Sequence, residues 1–466
     1  MPKTHIITLL ALAASLGFVT LAAQASQKSI TGESLPGLGS WQGVRELRLG
    51  KGRTIRPDMP LQLEMSSNGR AKVSIADDPS GTVSLQQWKG HVRGVVRSPK
   101  HGTFLIQRTP SGHTTVTELD PSTLVGCDAD QAVPPAADAD GDAPSSPPPP
   151  AADGDAPDGD DGGVVDIFVV YTDLARANAG STDAMETAIH GWINESNEVY
   201  RDSESAVRIR LVGTDEVSYA ESGSFSNHLS RLAGTSDGYM DDVHTWRDDT
   251  GADVVALIVT DSSSCGLGYT IKNDVTGSPS SAFFVVRDYC ADIQFSFTHE
   301  LGHNMGCCHD LDHPGSCAGG ASLYPHSFGH RFTGDSDDWR TVMAYTDGSG
   351  DPMPQTYYQR IGHLSNPDVD YDNEPTGTAT ADSAATHDSM RSVTAAYRTA
   401  ITAISCPGDL GEDAIVSVDD LLGLLERWGA VNAADTQSLA ADLNGDAEID
   451  ASDLLVLITE FGPCPS

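Results

Sequence analysis

Three histidines in one short segment have the spacing of a catalytic metal site. His299 and His303 are four residues apart, so on a helix both imidazoles project from one face and can bind the same ion. Gly306 can adopt the positive φ that ends a helix, which lets His309 approach as a third ligand. Three neutral imidazoles leave one position of a tetrahedral zinc ion open, as a catalytic site requires. Glu300 is then the candidate general base for a water in that position.

This segment resembles the zinc motif of the metzincin metalloendopeptidases. It reads HELGHNMGCCHD from His299 to Asp310, and the sequence TVMAY follows at Thr341–Tyr345. The resemblance implies that Met343 forms an apolar floor beneath the imidazoles, in the family's Met-turn. Asp310 directly after the third histidine is similar to the reprolysin (adamalysin) branch and to its secreted bacterial members.

Tyr345 departs from the reprolysin pattern. A tyrosine two residues after the Met-turn methionine is more similar to astacins and serralysins. That resemblance implies a catalytic side chain that reaches the zinc and later hydrogen-bonds the oxyanion. The alternative is a tyrosine that packs under the site. The sequence leaves both interpretations open.

Residues 164–404 alternate between strand and helix patterns. Val164–Val170 and Asp253–Val259 are apolar runs typical of buried strands, and residues 183–201 have helical spacing. The alternation predicts an α/β domain with a mixed twisted sheet, which the resemblance identifies as a metzincin catalytic domain. The resemblance also implies that Ser281–Val286 is the sheet edge along which an extended polypeptide substrate pairs.

The charge balance excludes some classes of partner. The chain has 28 Lys and Arg against 66 Asp and Glu, for a net charge of −38. Nucleic acid and anionic membrane surfaces would be repelled by this charge, so neither is expected as a partner. Divalent metals and polypeptide substrates remain compatible with it.

The charge also divides the chain into parts. Residues 26–127 carry a net +5 and show short alternating apolar segments, which predict a small β-rich unit that we interpret as a prodomain. Residues 128–163 contain ten Asp and no Lys or Arg, which predicts a disordered acidic Pro/Gly linker. Residues 164–404 carry −22, and residues 405–466 form a final acidic part.

The first 25 residues have the pattern of an export signal. A short polar start is followed by an apolar run from Ile6 to Ala23, and Ala23–Ala25 supplies the small-residue cleavage pattern. We therefore expect a signal peptide over residues 1–25 and a secreted, extracellular protein without a membrane anchor. Export would permit disulfide bonds.

The cysteines of residues 164–404 are odd in number. The metzincin resemblance implies a pair between Cys265 and Cys290. Cys317 is expected to join Cys307 or Cys308, which leaves one thiol whose place the sequence does not determine.

Cys127 stands at the junction of the expected prodomain and linker. Its thiolate is a suitable fourth zinc ligand, which would keep the chain latent as a zymogen until proteolysis removes it. The alternative is a disulfide between Cys127 and the leftover thiol. Both interpretations remain open at this point.

A duplicated acidic segment lies within residues 405–466. Its copies are 33 residues apart, and each places oxygen ligands at loop positions 1, 5 and 12 before an apolar helix, which is calcium-loop spacing. The pair resembles a dockerin type I module, a small all-α pair of calcium loops, and the resemblance implies a cohesin-like partner domain. Cys406 and Cys464 bracket the module and are expected to pair. The candidate calcium ligands are Asp442, Asn444, Asp446, Asp450 and Asp453 in the second loop, which has the fuller set, and Asp409, Asp413 and Asp420 in the first.

These observations predict a secreted zinc metalloendopeptidase that is made as a zymogen. The rival hypothesis is a catalytically inactive metzincin fold that serves adhesion or scaffolding through its dockerin-like module. Glu300 and the three histidines favour the enzyme, because an inactive descendant would not need the general base.

Overall fold

The computed structural model describes most of the chain between the expected signal peptide and the C-terminus. The described residues are 29–30, 46–50, 53–59, 69–121, 163–272, 278–346, 358–400, 408–411, 415–431, 441–443, 448–459 and 461–463. The predicted signal peptide, nearly all of the predicted linker, and Cys127, Cys406 and Cys464 lie outside these residues. Among the described residues, no helix has the length and apolar character needed to cross a membrane.

A six-stranded antiparallel sheet occupies the N-terminal part of the chain, together with a separate two-stranded hairpin. The strands are β1 (Ser29–Ile30), β2 (Leu47–Gly50), β3 (Arg53–Ile55), β4 (Gly69–Ile75), β5 (Asp78–Trp88), β6 (His91–Arg97), β7 (Thr103–Arg108) and β8 (Thr114–Leu119). The sheet has the order β1–β8–β7–β6–β5–β4, and β2 pairs with β3. Alternate side chains such as Val83, Leu85 and Phe104 are buried in a core that belongs to this unit. We call residues 46–121 the β unit.

A second sheet, of five strands, forms the centre of the unit that contains the histidines. Its strands are β9 (Val164–Thr172), β10 (Arg208–Val217), β11 (Val254–Val259), β12 (Gly266–Gly268) and β13 (Phe283–Arg287). Their order is β10–β9–β11–β13–β12, and only β12 runs antiparallel to its neighbour. All nine residues of β9 are buried, because helices cover both faces of the sheet.

The flanking helices divide between the two faces of this sheet. They are α1 (Asp173–Ala179), α2 (Thr182–Asp202), α3 (Phe225–Ala233), α4 (Asp242–Thr250), α5 (Asp288–Gln294), α6 (Ser296–Asn304) and α7 (Ser383–Thr394). Side chains of α2, α6 and α7 share one apolar core with Val165 and Ile167 of β9. Side chains of α3 and α4 pack on Phe168 and Val170, which point to the other face. The predicted α/β fold class is therefore confirmed.

The expected substrate-binding edge was assigned to the wrong strand. The segment Ser281–Val286 contributes to β13, which has β11 on one side and β12 on the other, so it is not an edge. Phe283 to Val286 are all buried, and a strand that is apolar on both faces is stable only between neighbours. The edge is the three-residue strand β12, which pairs with β13 from Gly266↔Val286 to Gly268↔Phe284.

Short strands connect the loops between α6 and α7. They are β14 (Cys308–Asp310), β15 (Phe328–Gly329), β16 (Arg331–Thr333), β17 (Asp338–Arg340), β18 (Gln359–Arg360), β19 (Asp370–Tyr371) and β20 (Glu374–Pro375). The parallel pair β14–β15 fixes the chain directly after the zinc-motif helix.

The C-terminal part contains two equivalent helices. Its elements are β21 (Ile415–Val416), α8 (Val418–Glu426), β22 (Gly429–Ala430), β23 (Glu448–Ile449), α9 (Ala451–Thr459) and β24 (Gly462–Pro463). The strands pair across the repeats, β21 with β24 and β22 with β23. Leu424 of α8 and Leu457 of α9 occupy matching positions in one small core. The repeats therefore fold as one body.

Candidate metal centre

The helix α6 holds the first two histidines in a fully buried position. Phe295, with a φ of 52°, separates α5 from α6 and starts the helix in a new direction. One turn of α6 then carries His299, Glu300 and His303, all at most 1% exposed. Gly306 has a φ of 88°, as expected for the residue that turns the chain after a helix. The turn leads directly into β14, which contains His309.

The three imidazoles converge on one point. His299, His303 and His309 each offer one ring nitrogen, and these atoms lie within 4.8 Å of one another. The Nε2 atoms of His303 and His309 are 3.1 Å apart. Zn–N distances of about 2.0–2.1 Å at tetrahedral angles require nitrogens about 3.3 Å apart. The arrangement therefore fits a zinc ion with three histidine ligands.

Backbone carbonyls determine which nitrogens face the centre. His299 Nδ1 lies 2.8 Å from the carbonyl oxygen of Val342. His303 Nδ1 lies 2.8 Å from the carbonyl oxygen of Cys307. A carbonyl can only accept, so both Nδ1 atoms carry the proton and both Nε2 atoms keep a lone pair for a metal.

Burial keeps these imidazoles neutral. Desolvation lowers the pKa of His299 and of His309 well below the usual range, and the nearby cation Arg360 adds to both effects. Desolvation also lowers the pKa of His303 to about 4. Neutral imidazole is the form that binds metal, so the centre is ready for a metal at neutral pH.

Met343 lies directly against the zinc-motif helix. A Cβ built on Gly302 would stand 2.5 Å from Met343 Sδ, so only glycine at this position lets the methionine approach so closely. Met343 is completely buried. The structure therefore brings the Met-turn and the histidine helix together at a position with no side chain between them.

The carboxylate of Glu300 lies against the edge strand β12. A Cβ built on Gly266 would stand 2.2 Å from Glu300 Oε1, and one built on Gly268 would stand 2.8 Å from the Glu300 carbonyl oxygen. Glu300 itself is 0% exposed. The two glycines of β12 thus leave the room that the carboxylate occupies, between the helix and the edge on which a substrate could pair.

Asp310 joins the third histidine to the Met-turn. Its Oδ2 accepts a hydrogen bond from the Tyr345 amide at 3.0 Å, and its Oδ1 lies 2.9 Å from His313 Nδ1. The Tyr345 ring packs on His309, with 4.0 Å between ring centroids. The structure therefore brings Tyr345 to the centre as a ring tilted against the third histidine.

Two arginines meet behind the Met-turn. Arg340 and Arg360 both donate hydrogen bonds to the carbonyl oxygen of Ala344, at 2.7 and 3.2 Å. They also bind Gln294 at the end of α5, through its side-chain oxygen and its backbone oxygen respectively. Positive charge is therefore concentrated between the Met-turn and the start of the zinc-motif helix.

Two disulfides flank the centre. Cys265 pairs with Cys290, which confirms the pairing implied by the metzincin resemblance. Cys308 pairs with Cys317, which settles the choice that the sequence left open, and Cys307 is a buried free thiol. Cys308 immediately precedes His309, so the second disulfide braces the third histidine.

The structure describes only some of the candidate calcium ligands. Asp413, Asn444 and Asp446 lie outside the described residues. Asp420 accepts hydrogen bonds from the amides of Gly411 and Ser417, both at 2.7 Å. Asp453 accepts one from the Asp450 amide at 2.8 Å, and Asp409 and Asp442 are among the described residues. The Gly411 contact brings the two ends of the first loop together, whereas the Asp450 contact lies at one end of the second loop. The calcium assignments stay predictions.

Sequence analysis missed the roles of Gly266, Asp310 and Arg360. Gly266 has no side chain, and its absence signals nothing about which carboxylate the position accommodates. Asp310 was noticed only as a mark of a branch. Arg360 follows His309 by 51 residues, and no local pattern connects it to the site.

Two family models match the chain. The model described as metallo-peptidase family M12 matches residues 162–358. The model described as dockerin type I domain matches residues 407–462. The first match includes all three histidines, Glu300 and Met343.

Several named proteins are similar to the first of these regions. The peptidyl-Asp metalloendopeptidase of Stenotrophomonas maltophilia is 35% identical over 218 residues, which are 46% of this chain and 48% of that protein. The peptidyl-Asp metalloendopeptidase of Pseudomonas fragi is 30% identical over 183 residues, which are 39% of this chain and 88% of that protein. A disintegrin and metalloproteinase with thrombospondin motifs 19, from Mus musculus, is 32% identical over 99 residues, 18% of this chain and 8% of that protein. The chain thus spans about half the length of the Stenotrophomonas relative.

We predict that Gly266→Ala reduces hydrolysis without loss of the metal. The added methyl group must displace the Glu300 carboxylate, and a shift of about 1 Å in a reacting group can cost about 100-fold in rate. Bound zinc and kcat/KM on a peptide substrate are the measurements. Gly423→Ala is the matched control, because its Cβ would meet nothing closer than Arg427 Nη1 at 3.6 Å. Equal activity in the two variants would contradict the prediction.

Proposed function

The chain belongs to metallopeptidase family M12, and on that basis we propose that it is a secreted zinc endopeptidase, made as a zymogen, that hydrolyses internal peptide bonds of proteins. One observation supports this most strongly. Three buried, neutral imidazoles converge beside Glu300, whose carboxylate lies next to an open sheet edge. In this proposal His299, His303 and His309 are the zinc ligands, and Met343 forms the floor beneath them.

The chain's own residues supply the remaining chemistry. Zinc, when bound, would acidify a water and polarise the scissile carbonyl. Glu300 takes the proton of the attacking water and passes it to the leaving amine, as a positioned general base and then acid. Its burial removes competing water, and β12 holds it in place. The Tyr345 ring packs against His309, so its hydroxyl is our candidate for a hydrogen bond to the oxyanion.

The strand β12 is the proposed substrate edge. It is paired on one side only, with β13. An extended peptide can therefore add to its free side through main-chain hydrogen bonds. This brings the scissile bond alongside Glu300, because the carboxylate lies against Gly266.

We further propose a preference for an aspartate next to the scissile bond. Two relatives are named peptidyl-Asp metalloendopeptidases. Arg360 is near enough to the three candidate zinc ligands for its positive charge to lower the pKa of each histidine. A carboxylate of the substrate near this guanidinium would form a charge-assisted hydrogen bond.

The dockerin-like module is proposed to bind calcium and a cohesin-like domain. Both repeats expose apolar side chains at matching positions 33 residues apart, and exposed apolar groups in a duplicated pattern are typical of a protein-binding face. These side chains are Leu422, Leu425 and Trp428 in the first repeat and Leu455, Ile458 and Phe461 in the second. Calcium bound in the two loops would fix the helices that carry them.

The rival hypothesis of an inactive adhesion or scaffolding protein also uses this exposed face. It does not account for the cost of burying Glu300 against β12, because an inactive fold needs no carboxylate there. A test of catalysis therefore separates the two hypotheses.

We predict that Glu300→Gln keeps the fold and the zinc but abolishes hydrolysis. The amide has the size of the carboxylate and cannot act as a base, so casein cleavage should fall by about 100-fold or more. The exposed Glu374→Gln is the matched control. In the unchanged protein, 1,10-phenanthroline should stop hydrolysis and added zinc should restore it. Proteolysis by a zinc-loaded Glu300→Gln variant would contradict the mechanism.

We predict that Arg360→Gln weakens selection for aspartate. For two peptides that differ only in Asp or Asn next to the scissile bond, the ratio of kcat/KM should fall about tenfold or more, as expected for loss of one charge-assisted hydrogen bond. Arg360→Lys should keep part of the ratio. Arg398→Gln, which loses an ion pair with Asp248 and a hydrogen bond to the Tyr397 carbonyl oxygen, should leave the ratio unchanged. An equal loss on both peptides would mean that Arg360 has a structural role alone.

The latency of the zymogen is proposed to depend on Cys127. Cys307 is the thiol that remains after the two disulfides form. It is 0% exposed, and its Sγ lies 3.3 Å from His387 Nδ1. A thiol at such a depth is a poor partner for a cysteine beside the linker. This favours Cys127 as a zinc ligand over Cys127 as a disulfide partner.

We predict that Cys127→Ala activates the unprocessed chain. Removal of a thiolate ligand would free the fourth zinc position for water. Activity and the number of free thiols are measured together before any cleavage occurs. A latent variant with one extra free thiol would support the disulfide instead. A full-length protein that is already active would contradict the prodomain proposal as a whole.

A further inference from the structure

The β unit rests on an acidic face of helix α2. Basic side chains of β4–β6 and of the turn between β5 and β6 point toward this helix, and acids spaced three or four residues apart on α2 receive most of them. The pairs are Arg70–Glu198, Lys72–Glu198, Lys72–Asp202, Lys89–Asp183, Lys89–Glu186 and Arg97–Glu195. Four basic side chains of the β unit thus lie against acidic side chains of α2.

A buried ion pair lies at the centre of this contact. Arg93 of β6 binds Asp292 of α5, and both side chains are less than 10% exposed. Asp292 also accepts a hydrogen bond from Trp192 Nε1 of α2 at 2.9 Å. A buried charge pair is stable only when further hydrogen bonds satisfy it, and here Trp192 supplies one.

Apolar and uncharged groups complete the interface. Val95, Leu105 and Leu119 of the β unit share a small core with Tyr289 and Ile293 of α5. Beside it, the rings of Trp88 and His190 stack with 3.6 Å between centroids. The side chains of Gln86 and Asn194 are joined by a hydrogen bond of 2.9 Å. The interface therefore combines a buried, partly apolar centre with a charged rim, as stable protein–protein interfaces do.

These contacts lie on α2 and α5, whereas the proposed substrate edge is β12 at the border of the sheet. We propose that the β unit stays bound as a non-covalent subunit after the chain is cut within residues 128–163, held by the ion pairs to α2. The proposal rests on the zymogen processing proposed above. Cleavage of the linker then frees the segment that carries Cys127 to leave the zinc, while the interface of the β unit persists.

The test uses a chain that cannot cut itself. A recognition site for an unrelated sequence-specific protease is inserted within residues 128–163 of the Glu300→Gln variant, and the linker is cut with that protease. At about 0.1 M salt the two fragments should elute together from a sizing column. At about 1 M salt, where the screening length falls to about 3 Å, the dissociation constant should rise at least tenfold.

Charge reversal identifies the surface. Lys72→Glu combined with Lys89→Glu places carboxylates opposite those of α2 and should raise the dissociation constant at least tenfold. Lys100→Glu makes the same change at a lysine that pairs with Asp77 of its own unit, and it should stay within about twofold. Fragments that separate at low salt would overturn the proposal. An equal effect of the reversals at the interface and at Lys100 would also overturn it.

The outcome does not depend on the proposed catalysis, because the variant used has no general base. Failure of retention would leave the Glu300 and metal experiments unaffected. Failure of hydrolysis in those experiments would likewise leave the retention result standing.

Discussion

The site depends on two hydrogen bonds from imidazole to backbone carbonyls. Each ring must carry its proton on Nδ1 so that Nε2 is free to bind a metal, and an acceptor in the right place is what selects this tautomer. The acceptors belong to Val342 of the Met-turn and to Cys307 of the turn after the helix. The loops after α6 therefore determine the orientation of the rings on α6, and the metal centre exists only when helix and loops have folded together.

Close approach of backbone elements satisfies this constraint. Gly302 lets Met343 reach the helix, and this brings the neighbouring Val342 carbonyl to His299. Gly266 leaves room for the Glu300 carboxylate on the opposite side of the helix. Asp310 then ties the third histidine to the chain that follows the Met-turn. Small residues and one carboxylate thus hold in place a centre whose reactive groups are all buried.

Local patterns predicted the parts of the structure that depend on short stretches of chain. The spacing of His299 and His303 follows from the period of a helix, and buried strands such as β9 are visible as apolar runs. Strand order depends on pairing between distant segments, so Ser281–Val286 was assigned to an edge that β12 occupies. The choice between Cys307 and Cys308 was open for the same reason, since it depends on which of two buried thiols the fold brings to Cys317. Arg360 lies near the site only because of tertiary packing, so no local pattern could predict its position.

Because of the two disulfides, the order of the centre depends on the redox state of its surroundings. Cys308–Cys317 braces His309, and Cys265–Cys290 anchors the chain directly before β12 to helix α5. A reducing environment would leave all four thiols open, so His309 and the strand β12 would both lose a brace there. An oxidising exterior would close both bonds. The complete set of braces would therefore exist only where the thiols of the chain can oxidise.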